Sequence, residues 1–103
     1  MKVFTRNAKL GIEAVAEYNE LVGTVTVLKG SHISKEITAS KSFRSKKNLE
    51  SLRQKVTIGS VTQEDIEFTS FSTAATFVYG GSRNGWYVWK LENGKAVQCL
   101  REK

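Results

Sequence analysis

Proline is absent from the 103 residues, and cysteine, histidine, aspartate and methionine occur once each. Each scarcity narrows what the chain can be. Without proline the turns have to be built from Gly, Asn and Ser, and no Pro-rich linker divides the chain, so residues 1–103 read as one domain. The lone Cys99 has no partner in the chain for a disulfide, which suits a reducing, cytoplasmic setting. No apolar run approaches the roughly 18 residues of a membrane span, so no membrane partner is expected.

The same scarcity bears on chemistry. A Ser-His-Asp triad would have to use His32 with Asp65 or a glutamate, and no glycine-flanked nucleophile elbow is present. One His and one Cys about 67 positions apart lack the paired spacing that zinc needs, so no metal is expected. Glu64, Asp65 and Glu67 flank a turn and alternate with apolar positions, as a solvated strand edge does. Gly80-Gly81-Ser82-Arg83-Asn84-Gly85 follows a helix pattern and lacks the Lys-Ser/Thr ending of a phosphate loop. No catalytic residue, metal site or cofactor is expected, and His32 reads as a loop residue.

What the chain does have is positive charge in one place. Between Lys29 and Lys55 lie eight basic residues (Lys29, Lys35, Lys41, Arg44, Lys46, Lys47, Arg53, Lys55) and two acidic ones (Glu36, Glu50). The rest of the chain carries eight of each sign, so the whole excess of +6 belongs to that stretch. A basic segment of this kind is drawn to polyanions, nucleic acid first.

Hydropathy patterning supplies the elements. Leu10, Ile12, Ala14, Ala16 and Tyr18 recur at every second position, and the β-branched run from Val22 to Leu28 follows a turn at Asn19-Glu20, which predicts a hairpin. Met1 to Arg6 adds a short edge strand. Leu49, Leu52 and Val56 predict a helix over Ser45 to Thr57 with Arg44, Lys47 and Lys55 turned outward and Lys46 and Arg53 nearer the edge of its apolar stripe. A short extended segment then runs from Ser60 to Thr69. Ser70 as N-cap, with Phe71, Ala74, Ala75 and Val78 at helical spacing before Gly80-Gly81, predicts a second helix. Asn84-Gly85 opens a strand through Trp86 to Leu91, and Asn93-Gly94 returns it as a hairpin that holds Cys99 as a small core residue. The order ββ-α-(β)-α-ββ describes an α+β domain, an antiparallel sheet with two helices on one side.

Recognition groups follow from these placements. Lys29, Lys41, Arg44, Lys46 and Lys47 are expected to contact phosphates, with Ser31 as a donor in the loop. Ser70 either caps its helix or offers a hydroxyl beside the free N–H groups of the helix start. Trp86 and Trp89, three apart on a strand, point to opposite faces. One indole, beside Arg83, Asn84 and Lys90, then either stacks on a base or covers the sheet edge.

The block from Phe68 to Lys90, with Ser70, Ser72, Ala74, Ala75, Gly80, Ser82, Asn84, Gly85, Trp86, Trp89 and Lys90, resembles an uncharacterised domain appended to GIY-YIG endonucleases and restriction-modification proteins. Leu28-Lys29-Gly30-Ser31 is similar to that family's second-strand motif, so the resemblance runs from about Leu10 to Lys90. The C-terminal block is also similar to the adenine-methylase-associated domain of restriction systems. Phe71 departs from the family, which commonly has Pro at this first helical position. The resemblance implies an accessory role in nucleic-acid binding, to DNA before RNA. Val78-Tyr79-Gly80-Gly81 is no GIY motif, so the chain is expected to stand alone or to act through a nuclease or methylase partner. The second reading is a protein-interaction module in which the basic stretch is a solvated face; the oligomeric state is left open.

Overall fold

A computed structural model of the chain describes residues 1–35, 46–81 and 83–101, with the side chains of residues 46–49 and 101 outside that description. Four strands form one antiparallel sheet: β1 (Lys2–Asn7), β2 (Ile12–Asn19), β3 (Thr24–Val27) and a fourth, Ile66–Phe68, in the order β1-β2-β3 and then the fourth. Alternation decides which face is buried. Val3, Ala16, Val27 and Ile66 stand opposite one another across the four strands, and all are buried, whereas Lys2, Glu17 and Glu67 in the adjacent row are exposed.

Between β3 and that fourth strand the chain forms helix α1 (Lys46–Val56) and a two-stranded hairpin of β4 (Thr57–Ile58) and β5 (Val61–Thr62), which makes Ile66–Phe68 strand β6. Gly59 and Ser60 both take positive φ (58° and 66°), the geometry of a two-residue hairpin turn, and this ends α1 at Val56, just short of the expected Thr57. Helix α2 (Phe71–Tyr79) lays Phe71, Ala74, Ala75 and Val78 on the buried face of the sheet, as the spacing predicts. Ser70 caps it, its Oγ accepting the Thr73 N–H at 3.1 Å, and Gly80 closes it in the left-handed region at φ 75°. Ser70→Ala is expected to cost about 1 kcal/mol, read as a lowered urea midpoint with unchanged slope.

The C-terminal segment departs from the sequence reading. Instead of a strand from Trp86, residues Gly85–Val88 form a short helix, α3, started by Asn84, whose Oδ1 accepts the Trp86 N–H at 3.1 Å. The Asn93-Gly94 turn forms, with Leu91 N–H donating to the Lys95 carbonyl at 2.8 Å. Its pairing shrinks to one bridge between Lys90 and Ala96, and a 3-10 helix follows over Val97–Arg101. Cys99 therefore sits half-buried in a 3-10 helix, not in a strand. Lys90 also pairs with Phe4, so this segment lies along the outer edge of β1 and covers it.

Trp86 lies in α3 and Trp89 is the extended residue that caps it, so the strand geometry that would set the two indoles on opposite faces is not formed. Trp89 is fully buried, with Nε1–H donating to the Phe71 carbonyl at 3.1 Å. Trp86 is half-buried edge-on against Phe71 at 4.9 Å, and Tyr18 packs on Phe71 at 4.5 Å.

Candidate functional site

The segment after β3 carries the first described part of the basic stretch, and α1 the second. The segment is tied on both sides: His32 bridges Glu13 of β2 and Val61 of β5, the Thr62 N–H donates to the Ser31 carbonyl at 2.9 Å, and the Ile33 N–H donates to the Ser60 carbonyl at 2.9 Å. Ser31, Ile33 and Ser34 turn inward, while Lys29, His32 and Lys35 are exposed. The outcome is a short ridge with three basic side chains on its outer side. A shallow groove of about 420 Å³ runs beside it, walled by Glu13 and Val15 of β2 and by Lys29 and His32.

Ser31 does not serve as a free donor. It is buried, its hydroxyl donating to the Leu28 carbonyl at 2.7 Å and accepting the Val15 N–H at 3.2 Å. It shapes the loop, and so does Asp65, which accepts the Lys29 N–H at 2.8 Å and leaves the ammonium end of Lys29 exposed. Lys41 and Arg44 lie outside the described residues. Lys46 and Lys47 form the first turn of α1, and Lys55 is exposed near its end.

Arg53, expected near the edge of the apolar stripe, goes deeper than that edge. It is buried, 8% exposed, and its guanidinium reaches the C-terminal end of α2. Nε–H donates to the Phe77 carbonyl (3.0 Å), Nη1 to the Ser34 carbonyl (2.9 Å), and Nη2 to the carbonyls of Phe77 (2.6 Å) and Val78 (3.1 Å) and to Ser34 Oγ (2.9 Å). The Phe77 and Val78 carbonyls are among those that a helix leaves unpaired at its end, and a cation there also meets the negative pole of the helix dipole. Burial pushes the guanidinium down to about 10, still a cation at neutral pH. The side chain is thus withdrawn from the solvent-facing charge of the stretch.

The remaining expected contacts divide. Arg83 is exposed, with its guanidinium 5.5 Å over the Tyr79 ring at the end of α2, the same end that Arg53 and Ser34 reach. Asn84 and Ser70 spend side-chain oxygens on caps. Lys90 has an exposed side chain on the outer edge of β1, and β1 and β2 separate it from the Lys29 segment. Three strand spacings amount to about 14 Å, so Lys90 and Lys29 do not belong to one small site. His32 and Lys35 were not among the expected contacts, although Ser31, Ile33 and Ser34 between and beside them carry the inward pattern.

Among the described residues no three His, Cys, Asp or Glu side chains gather as metal ligands would, and no helix is long and apolar enough to cross a membrane. The arrangement is that of a small α+β module with Lys29 and Lys35 exposed on one loop and Lys55 exposed on the helix after it. The chain belongs to the family described as Domain of unknown function (DUF4357), whose model matches residues 4–101. That match reaches beyond the Leu10 to Lys90 stretch on both sides. No curated protein and no solved structure matches the chain.

Proposed function

We propose that the chain is a non-enzymatic accessory module that binds nucleic acid, DNA before RNA, in a cytoplasmic setting and without a cofactor. The observation that carries the reading is the coincidence of charge and exposure: the stretch that holds the +6 excess in sequence turns Lys29 and Lys35 outward on a tied loop, followed by helix α1 with Lys55 exposed. Phosphate neutralisation by Lys29 and Lys35 supplies the affinity, with Lys41, Arg44, Lys46 and Lys47 in the same stretch and Arg83 near the α2 end. The resemblance of Phe68 to Lys90 to domains appended to GIY-YIG endonucleases and restriction-modification proteins supports the same role.

Changing Lys29, Lys35, Lys46 and Lys47 to Gln together is expected to weaken duplex binding about 100-fold at moderate salt, uniformly across sequences, and to lower the salt slope by about one per phosphate contact removed. Fluorescence anisotropy with two unrelated duplexes measures both. Unchanged affinity would place the contacts elsewhere.

One observation favours a second reading, a docking module for a nuclease or methylase. Leu21 and Val22 at the β2–β3 turn are 95% and 70% exposed, more than a tip of this kind needs. Salt-tolerant association with such a partner, insensitive to the four Gln changes and lost on Leu21→Ser, would favour it.

A further inference from the structure

We infer that Arg53 is the positioning residue of the proposed interface, setting the spacing between the cationic loop and the cationic helix without touching the nucleic acid; this rests on the functional reading above. Two parts of that interface meet at one anchor, the carbonyl end of α2. From the loop side, the Ser34 N–H donates to the Val78 carbonyl at 2.9 Å, which fixes the residue next to exposed Lys35. From the helix side, the Arg53 fork spans the carbonyls of Phe77, Val78 and Ser34 and the Ser34 hydroxyl, so it ties helix and loop to α2 and to each other.

Besides Arg53, the described part of α1 is held at its end by buried Val56, whose carbonyl accepts the Gln63 N–H at 2.8 Å, and by half-buried Leu52, while Glu50, Ser51, Gln54 and Lys55 face solvent. A planar guanidinium has donors in fixed directions, so α1 cannot roll about its axis without losing bonds to two different segments. An apolar side chain at this position would bury at lower cost but would leave the roll of the helix free. Arg53 thereby gives up its own charge to the interior and holds the backbone of Lys46, Lys47 and Lys55 at a set distance from Lys29 and Lys35.

The test uses the full chain with Arg53→Lys, which keeps the charge and loses the fork, and Ser34→Ala, a milder change that removes one acceptor. Amide hydrogen exchange is expected to show α1 losing about ten-fold or more of its protection in Arg53→Lys while β2, β3 and α2 keep theirs, with a smaller loss in Ser34→Ala. Duplex affinity is expected to fall about ten-fold and the salt slope by about two, as though cations had left the interface at constant net charge. Unchanged protection in α1, equal loss throughout the chain, or a loosened α1 with an unchanged salt slope would each overturn the inference. If Arg53→Lys does not fold, Ser34→Ala decides by the same two readouts. Wild-type chain that binds no duplex fails the functional reading itself, before any variant is compared.

Discussion

Gly85→Ala is expected to destabilise the fold by about 3 kcal/mol or more, a large share of the roughly 5–15 kcal/mol that holds a domain of this size. A Cβ at Gly85 would fall inside the van der Waals shells of the Phe71 carbonyl carbon and oxygen and of the Ser72 nitrogen. All three are backbone atoms of the first turn of α2, which cannot rotate away as a side chain would. Relief requires α3 to lift from α2, and Trp89, one turn later, would leave the core with it. Urea denaturation and tryptophan emission report the two consequences together: a lowered midpoint and a red-shifted native spectrum. An Ala variant as stable as wild type would contradict the α2–α3 contact.

Trp89→Ala is expected to cost about 3–5 kcal/mol, because it removes the largest fully buried side chain and leaves a cavity in the core beside the first turn of α2. Trp89→Phe separates the two parts of that cost. It keeps most of the ring volume but removes the donor that meets the Phe71 carbonyl at 3.1 Å. The Phe71 carbonyl keeps its bond within α2, so the lost hydrogen bond is worth about 0.5–1.5 kcal/mol, and Phe is expected to fall between wild type and Ala. Equal stability of Phe and wild type would mean that the indole N–H contributes nothing.

These two positions also explain where the sequence was hard to read. Helix α2 was legible because Ser70, the Phe71–Ala74–Ala75–Val78 spacing and Gly80 agree on one helix. The next segment offers Trp, Tyr, Val and Trp, all strand formers, at a length where the periods 2 and 3.6 cannot be separated. The Asn84 cap and the close contact at Gly85 decide for a helical turn, and that contact is tertiary. The β2–β3 hairpin was visible in the alternation of β2, the β-branched run of β3 and the turn between them, and β1 forms where a short edge strand was expected.

For the candidate site, the location of the charge was legible and its use was not. Arg53 reads as lying at the edge of the apolar stripe, and the sequence gives no sign of its full burial because its partners are a serine hydroxyl and backbone carbonyls, not an acidic side chain. Ser31 reads as a loop donor for the same reason, since its acceptor and donor are the backbone of Leu28 and Val15. The outward set of Lys29, His32 and Lys35 follows only once Ser31 and Ser34 are known to be inside.

The central claim is that the cations of this loop and helix bind nucleic-acid phosphates, and the most direct measurement is the affinity of the full chain for a short duplex as salt is raised. With about four phosphates neutralised, affinity is expected to fall about 100-fold between roughly 50 and 200 mM salt, along a straight line in logarithmic coordinates. Absence of binding at micromolar protein in the lower salt, or an affinity that does not change with salt, would contradict it.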